Sequence, residues 1–317
     1  MTPERVESIH AKVGQSRELD KVARGSRQVP IIHKPSTPMP LIPLNRFRVF
    51  AEGLDHSEGL AFDADGTLWA GGELGQIYRI DRRGRVREVA RLGGFCLGLT
   101  FSRKQDLFVC NFKRGALIRV NRKGRVLHSI ERVGSRKLKT PNFSVFDSEG
   151  NLYFSDSGDW EKENGCVYRL RPNGRGEYFA GPFAFANGMA LSADERHLYI
   201  VQSIKNNVVE LPILGDGRAG RPRVYASGLS RIPDGAAFDA AGNLYVTCYA
   251  IPTVYRIAPG GAVALYAHDP SATMLAAPTN AAFGGTNFDE LYFANLNRWH
   301  ICRVKAGVCG QLLANMR

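Results

Sequence analysis

Six short apolar segments recur along this chain at nearly constant spacing. Each leads into a bulky apolar marker: Phe62, Phe101, Phe146, Leu191, Phe238 and Phe283. The intervals are 39, 45, 45, 47 and 45 residues. A polar turn follows each marker, and then a Leu–aromatic pair, from Leu68-Trp69 and Leu107-Phe108 to Leu244-Tyr245 and Leu291-Tyr292. A third apolar run comes next, such as Gln76 to Ile80 or Val254 to Ile257. A hairpin turn such as Arg83-Gly84 or Asn173-Gly174 then leads to a fourth run, such as Val86 to Ala90. Apolar runs this short between turn residues read as strands, and Gly and Asn accept the positive φ that tight hairpins need. A period near 45 with four strands per unit predicts an all-β fold, a six-bladed β-propeller. The sixth unit shows only three clear strands before Gln311. Its fourth is expected from Arg46 to Ala51, ahead of the first repeat, so that the two chain ends share one blade and leave no open edge.

The propeller is assigned to residues 45–317 and an N-terminal arm to residues 1–44. In the arm, Thr2-Pro3 reads as an N-cap and first helical residue, which predicts a helix over about residues 3–23 followed by a Pro-rich extended stretch. The arm is expected to pack on the propeller or on a neighbouring subunit, which makes an oligomer one expected partner. No run of about 18 apolar residues is present and the first residues are polar, so neither a membrane span nor a signal peptide is read, and a cytoplasmic location is expected. The six cysteines form no C-x-x-C pair, which points to reduced, mostly buried thiols. Between Arg79 and Lys139 there are 18 Lys or Arg against four acids. These cations fall in turns without interleaved aromatics, which favours a solvated rim over a nucleic-acid site.

The first strand of each blade lines the central channel of a propeller, so equivalent residues at its start converge on the axis. Four residues before each marker stand Glu58, Leu97, Asn142, Asn187, Asp234 and Thr279. Two carboxylates and two carboxamides at one rim form a cluster of hard oxygen donors. Two facing anions repel unless a cation joins them. All-oxygen ligation by Glu58, Asn142, Asn187 and Asp234 therefore implies one divalent cation, calcium first, with magnesium, manganese or zinc as alternatives.

The segments Ser57-Glu58-Gly59-Leu60-Ala61-Phe62, Thr140-Pro141-Asn142, Ala186-Asn187-Gly188-Met189-Ala190, Pro233-Asp234-Gly235 and Pro278 to Gly285 resemble the senescence-marker-protein (regucalcin), gluconolactonase and luciferin-regenerating-enzyme family. The resemblance covers about residues 46–310. It implies a six-bladed propeller with one catalytic divalent cation and hydrolysis of lactones, with phosphotriesters as substrates of some members. It also implies metal ligation by Glu58, Asn142, Asn187 and Asp234, and a general-base role for Asp234. Two positions depart from the family pattern. Phe143 follows Asn142 where members often have Asp, and Thr140 stands where sugar-lactone hydrolases often place an Arg. The stretch Phe183 to Leu191 is also similar to strictosidine-synthase-like propellers.

These observations lead to metal-assisted hydrolysis of a small-molecule lactone or ester as the expected function, with Asp234 accepting the proton of the attacking water. Loops between second and third strands rise around the same rim. They make Asn111, Trp160, Tyr249, Trp299 and His300 candidates for the pocket wall. His56 is a candidate second acid or base, or else a turn residue. The alternatives are a strictosidine-synthase-like chemistry and a non-catalytic calcium-binding scaffold. Other motifs fail on context. Gly215 to Gly220 fits G-x-G-x-x-G but lies in a hairpin turn with no helix behind it. Asn142-Phe143-Ser144 is a glycosylation sequon at the start of a channel strand. No G-x-S-x-G nucleophile elbow occurs.

Overall fold

The computed structural model describes residues 39–316. Six four-stranded antiparallel sheets follow one another as blades. Their innermost strands are Leu60–Phe62, Cys96–Phe101, Pro141–Phe146, Ala186–Leu191, Pro233–Phe238 and Pro278–Gly284. Each innermost strand packs beside the innermost strand of the next blade, and the sixth packs beside the first, so the ring is closed. The sixth blade is completed as the repeat pattern requires: Arg48–Glu52 pairs antiparallel with His300–Lys305. That strand begins two residues later than expected, because Leu44–Arg46 forms a short 3-10 turn. The helix expected over about residues 3–23, and most of the arm, lie outside the described residues. Just before the turn, Leu41 and Ile42 donate backbone hydrogen bonds to Leu265 and Tyr266 on the outer strand of blade 5.

The sequence markers are the joints between blades. Each marker Phe packs edge-on against the aromatic of the preceding blade's Leu–aromatic pair: Trp69 with Phe101, Phe108 with Phe146, Tyr199 with Phe238, Tyr245 with Phe283, and Tyr292 with Phe62. Ring centroids lie 5.0–5.5 Å apart. Such pairs add about 0.5–1.5 kcal/mol beyond the area they bury. The one exception is the joint between blades 3 and 4, where the marker is Leu191. There Tyr153 turns to Phe179 on the outer strand of its own blade, and all three share one buried cluster.

The residues after the last strand cross the end of the channel opposite the Glu58–Asp234 rim. Gln311 donates from its backbone to Phe238 O at 3.0 Å and from its side chain to Leu191 O at 3.0 Å, while the Asn315 amide donates to Phe62 O at 3.1 Å. Of the six cysteines, five are buried, Cys309 is exposed, and none is bridged. Burial pushes the Cys96 and Cys302 thiols up to about 12, which keeps them inert. Among the described residues no helix is long and apolar enough to cross a membrane. Several cations of the basic segment are paired at the surface, including Arg91 with Glu88, Arg119 with Asp106, and Arg122 with Asp63 and Asp65.

The aromatic joints carry a direct test. Phe101→Ala removes a buried ring at the joint between blades 1 and 2 and should lower unfolding free energy by about 3–5 kcal/mol. Val126→Ala, on the exposed outer strand of blade 2, should stay within about 0.5 kcal/mol of the parent protein. Denaturant midpoints compare the two; equal effects would remove the joints from the account of stability.

Candidate metal centre

In five blades the axial residue sits in an irregularity of the innermost strand. Pro141 pairs with Asp156 and Ser144 with Phe154, so three steps on one strand face two on the other. The same three-against-two count recurs around Leu97, Asn187 and Asp234, and Thr279 lies in a two-against-one step. In blade 1, Glu58 N and Gly59 O both bond to Gly71. An extra residue of this kind breaks the alternation of the strand and re-aims a side chain. Glycines next to the donors let neighbouring strands approach: a Cβ at Gly188 would overlap the Asp234 carbonyl oxygen, and one at Gly59 the Leu97 carbonyl oxygen. Two residues ahead of the axial position, His56, Phe185, Ile232 and Ala277 all adopt left-handed φ between 39° and 58°. Such strain, about 1–3 kcal/mol each for non-glycine residues, gathers at sites the surrounding fold holds firmly.

Glu58, Asn142, Asn187 and Asp234 are all buried. Glu58 Oε2, Asn142 Oδ1 and Asn187 Oδ1 have no hydrogen-bond partner. Buried oxygens left unpaired are costly and rare, so three in one ring need a ligand to explain them. The carboxamides are also held in one orientation. The Asn142 amide nitrogen donates to Ser157 Oγ at 3.0 Å, and Ser157 Oγ donates to Ala186 O at 2.7 Å. The Asn187 nitrogen donates to Ser203 Oγ at 3.1 Å, and Ser203 Oγ donates to Pro233 O at 2.7 Å. Each serine proton is committed to a carbonyl of the next blade, so the hydroxyl can only accept from the amide. The Asn142 nitrogen is thereby tied back to its own loop, the Asn187 nitrogen serves both Ser203 and Asp234, and both Oδ1 atoms are left unpaired. Ser157 and Ser203 were missed in the sequence. Their signal is positional: they begin the loop after the second strand and bond through N–H to the linker residue two before the donor, as Phe112, Tyr249 and Leu296 do in blades 2, 5 and 6.

The electrostatics agree with a cation. Burial pushes the Glu58 carboxyl well above the usual carboxylate range, and Asp234 raises it further. Burial likewise raises Asp234, partly offset by the Asn187 amide. Among the described residues no cationic side chain offsets either charge. Among the described residues no group of three or more His, Cys, Asp or Glu gathers, so the donor set is two carboxylates and two carboxamides. The set fits a hard divalent cation bound through oxygen.

The peripheral candidates separate. Tyr249 lies close enough to Asp234 and Glu73 for both to raise its phenol, after burial as the main cause. Trp160 stacks edge-on against Phe185 at 4.7 Å, and Trp299 against His56 at 6.1 Å. His56 Nδ1 is 2.9 Å from Asp55 Oδ1 and 3.7 Å from Glu73, at the half-exposed rim. Asn111 is a correction: its amide donates to Gly93 O and Cys96 Sγ and its oxygen accepts from Arg114 N, so it clamps a loop and has no polar atom left for a substrate. His300 is corrected too. It is buried with Nε2 3.0 Å from Met274 O, tying the start of its strand to the linker before the innermost strand of its own blade.

A family profile described as the SMP-30/Gluconolactonase/LRE-like region matches residues 73–297. The chain belongs to that family. Asn142, Asn187 and Asp234 fall inside the matched stretch, while Glu58 joins the site on geometry alone. A 6-deoxy-6-sulfogluconolactonase from Pseudomonas putida is 27% identical over 245 residues, covering 72% of this chain and 78% of that enzyme. A gluconolactonase from Zymomonas mobilis is 28% identical over 152 residues, covering 42% of each chain. Among solved structures, a gluconolactonase from Xanthomonas campestris superposes with a TM-score of 0.72 at 22% identity, covering 82% of this chain and 89% of its own. A luciferin-regenerating enzyme superposes at 0.70 with 19% identity, covering 84% and 98%. At these identities the superpositions establish the propeller fold.

Removing one serine hydroxyl frees its carboxamide to rotate. Ser157→Ala or Ser203→Ala should weaken calcium binding about 10–100-fold, read by calorimetric titration, with the fold intact. An unchanged Kd in both variants would leave the serines without a part in the site. The raised carboxyls add a pH test. A carboxyl whose folded pKa is raised favours folding while protonated. That contribution is complete below the ordinary carboxylate range and is lost as pH rises toward the folded value. Protons therefore compete with the cation, and the calcium-induced rise in Tm should be larger at pH 8 than at pH 5. A Tm increment independent of pH would contradict it.

Proposed function

We propose that this chain hydrolyses a lactone or related cyclic ester with the help of one divalent cation, calcium first, held by Glu58, Asn142, Asn187 and Asp234. The observation that carries the reading is the set of unpaired buried oxygens at the axis, with two carboxamides oriented by Ser157 and Ser203. Named relatives that hydrolyse gluconolactone-type substrates support the reaction class. Bound at these oxygens, the cation would polarise the ester carbonyl and stabilise the negative charge that forms on its oxygen.

The chain's own groups handle the proton. We assign Asp234, a buried carboxyl, as the group that accepts the proton; a bound cation would lower its proton affinity from the raised value of the bare site. Water adds to the carbonyl carbon as one of its protons passes to an Asp234 oxygen. The ring C–O bond then breaks, and that proton passes from Asp234 to the departing ring oxygen, leaving an open-chain hydroxy acid. Tyr249 lies near enough to Asp234 to feel its charge.

Asp234→Ala should abolish both metal binding and turnover. Asp234→Asn keeps an oxygen donor and loses the base, so turnover should fall about 10²–10⁴-fold while some calcium affinity survives. A panel of γ- and δ-lactones assayed with calcium and then with chelator tests the cation. Turnover that survives chelation, or an Asp234→Ala protein that still turns substrate over, would sink the proposal.

A further inference from the structure

The mouth above the donors is polar on one side only. Blades 1, 3, 4 and 5 supply Glu58, Asn142, Asn187 and Asp234, whereas blades 2 and 6 place Leu97 and Thr279 at the same register. Thr279 turns its hydroxyl away to the Glu58 carbonyl at 3.1 Å. At the start of the overlying loops, blades 3 and 4 carry Ser157 and Ser203, but blades 2 and 6 carry Phe112 and Leu296. Phe112 and Leu296 pack against one and the same buried cluster, which contains Phe95 and Leu97. Apolar side chains of blades 2 and 6 therefore share one cluster and form a wall beside Glu58. Farther out, every remaining loop of this rim adds an apolar side chain. Leu74, Ile204, Ile251 and Trp299 are 58%, 38%, 42% and 65% exposed, and Trp160 leans on Phe185.

Four polar groups nearby are engaged elsewhere. Thr140 Oγ1 donates to Gly158 O at 2.9 Å. Lys139 pairs with Asp159 and Lys205 with Glu163, each at 2.8 Å, and Arg114 donates to Leu92 O at 2.9 Å. A polyhydroxylated ring pressed against this wall would lose water from its hydroxyls without gaining partners, which selects against it. An alkyl or aryl group loses only water that it holds poorly.

We infer that the wall of Leu97, Phe112 and Leu296 receives an apolar substituent, so that the substrate is an alkyl- or aryl-substituted lactone and not a sugar lactone. This inference rests on the hydrolase reading for its reaction and on the wall alone for its specificity. The test uses the calcium-loaded full chain and δ-lactones bearing no side chain, propyl or hexyl, with glucono-δ-lactone beside them. In parallel, the matching δ-lactams, which resist hydrolysis, are titrated calorimetrically. The value of kcat/KM should rise about fourfold per methylene over the first few carbons, and lactam affinity should rise with it. Phe112→Ser and Leu296→Asn, both at partly exposed loop positions, should flatten both series, with Tm reporting that each variant is folded.

A flat or falling series, a preference for glucono-δ-lactone, or slopes unchanged in both folded variants would overturn the inference. Efficient gluconolactone turnover with flat lactam binding removes the apolar wall and leaves the hydrolase reading standing. Lactam affinity that climbs with chain length while no lactone is turned over supports the wall and removes the hydrolase reading. Neither turnover nor lactam binding removes both.

Discussion

Two buried carboxylates that no lysine or arginine among the described residues offsets are the constraint around which the channel is arranged. Left alone, Glu58 and Asp234 repel, and one must hold a proton. A dication between them makes the buried group neutral, and neutrality is what a low-dielectric interior demands. This also accounts for the mixed donor set. Two further carboxylates would restore the repulsion, while Asn142 and Asn187 add oxygens without adding charge. A carboxamide carries a nitrogen that would have to be kept from a bound cation, and Ser157 and Ser203 each accept a hydrogen bond from it. The serines thus follow from the choice of Asn over Asp.

Bringing four blades' donors to one point requires the innermost strands to run unusually close. Gly59 and Gly188 permit that contact, because any side chain there would meet the neighbouring backbone. The left-handed residues ahead of the donors then turn the linker sharply into the strand. Strain at Phe185 and Ile232 is held by the loops above, whose first residues Ser203 and Tyr249 donate to their carbonyls. The same loops thereby serve the backbone and the site together. Farther from the axis, the edge-on aromatic pairs fix each blade against the next, so the donors inherit their positions from a stiff ring.

The blades and the axial register could be read from the chain because each repeat repeats a physical need. The marker Phe and the Leu–aromatic pair recur since one packs on the other across a joint, and the axial position keeps a constant distance from the marker. The loops obey no such rule. Ser157 follows its donor by 15 residues and Ser203 by 16, and neither differs in type from an ordinary loop serine. Asn111 looked like a pocket residue because it borders the rim. It belongs instead to the clamp positions that end the second strands. There Asp156, Gln202 and Asn295 accept backbone hydrogen bonds from the incoming linker, while Asn111 donates to the linker carbonyl of Gly93. Composition cannot tell an amide that faces a ligand from one that faces a backbone nitrogen; only the partner can.

The two ends of the channel have become different environments. At the far end, the segment from Gly310 to Met316 crosses the opening and encloses a cavity of about 90 Å³ among the channel-lining strands, with Phe62, Phe101, Phe146, Phe238 and Phe283 around it. Beneath the donors, then, lies a mostly apolar floor. Charge interactions above such a floor are weakly screened, which strengthens both the repulsion of Glu58 and Asp234 without a cation and their hold on one that is bound. Access is left to the donor rim, where the six loops differ most from one another. A ring of near-equivalent blades thus yields a one-sided site: the repeats supply the frame, and the departures from repetition at Leu97, Phe112, Thr279 and Leu296 decide what the frame can admit.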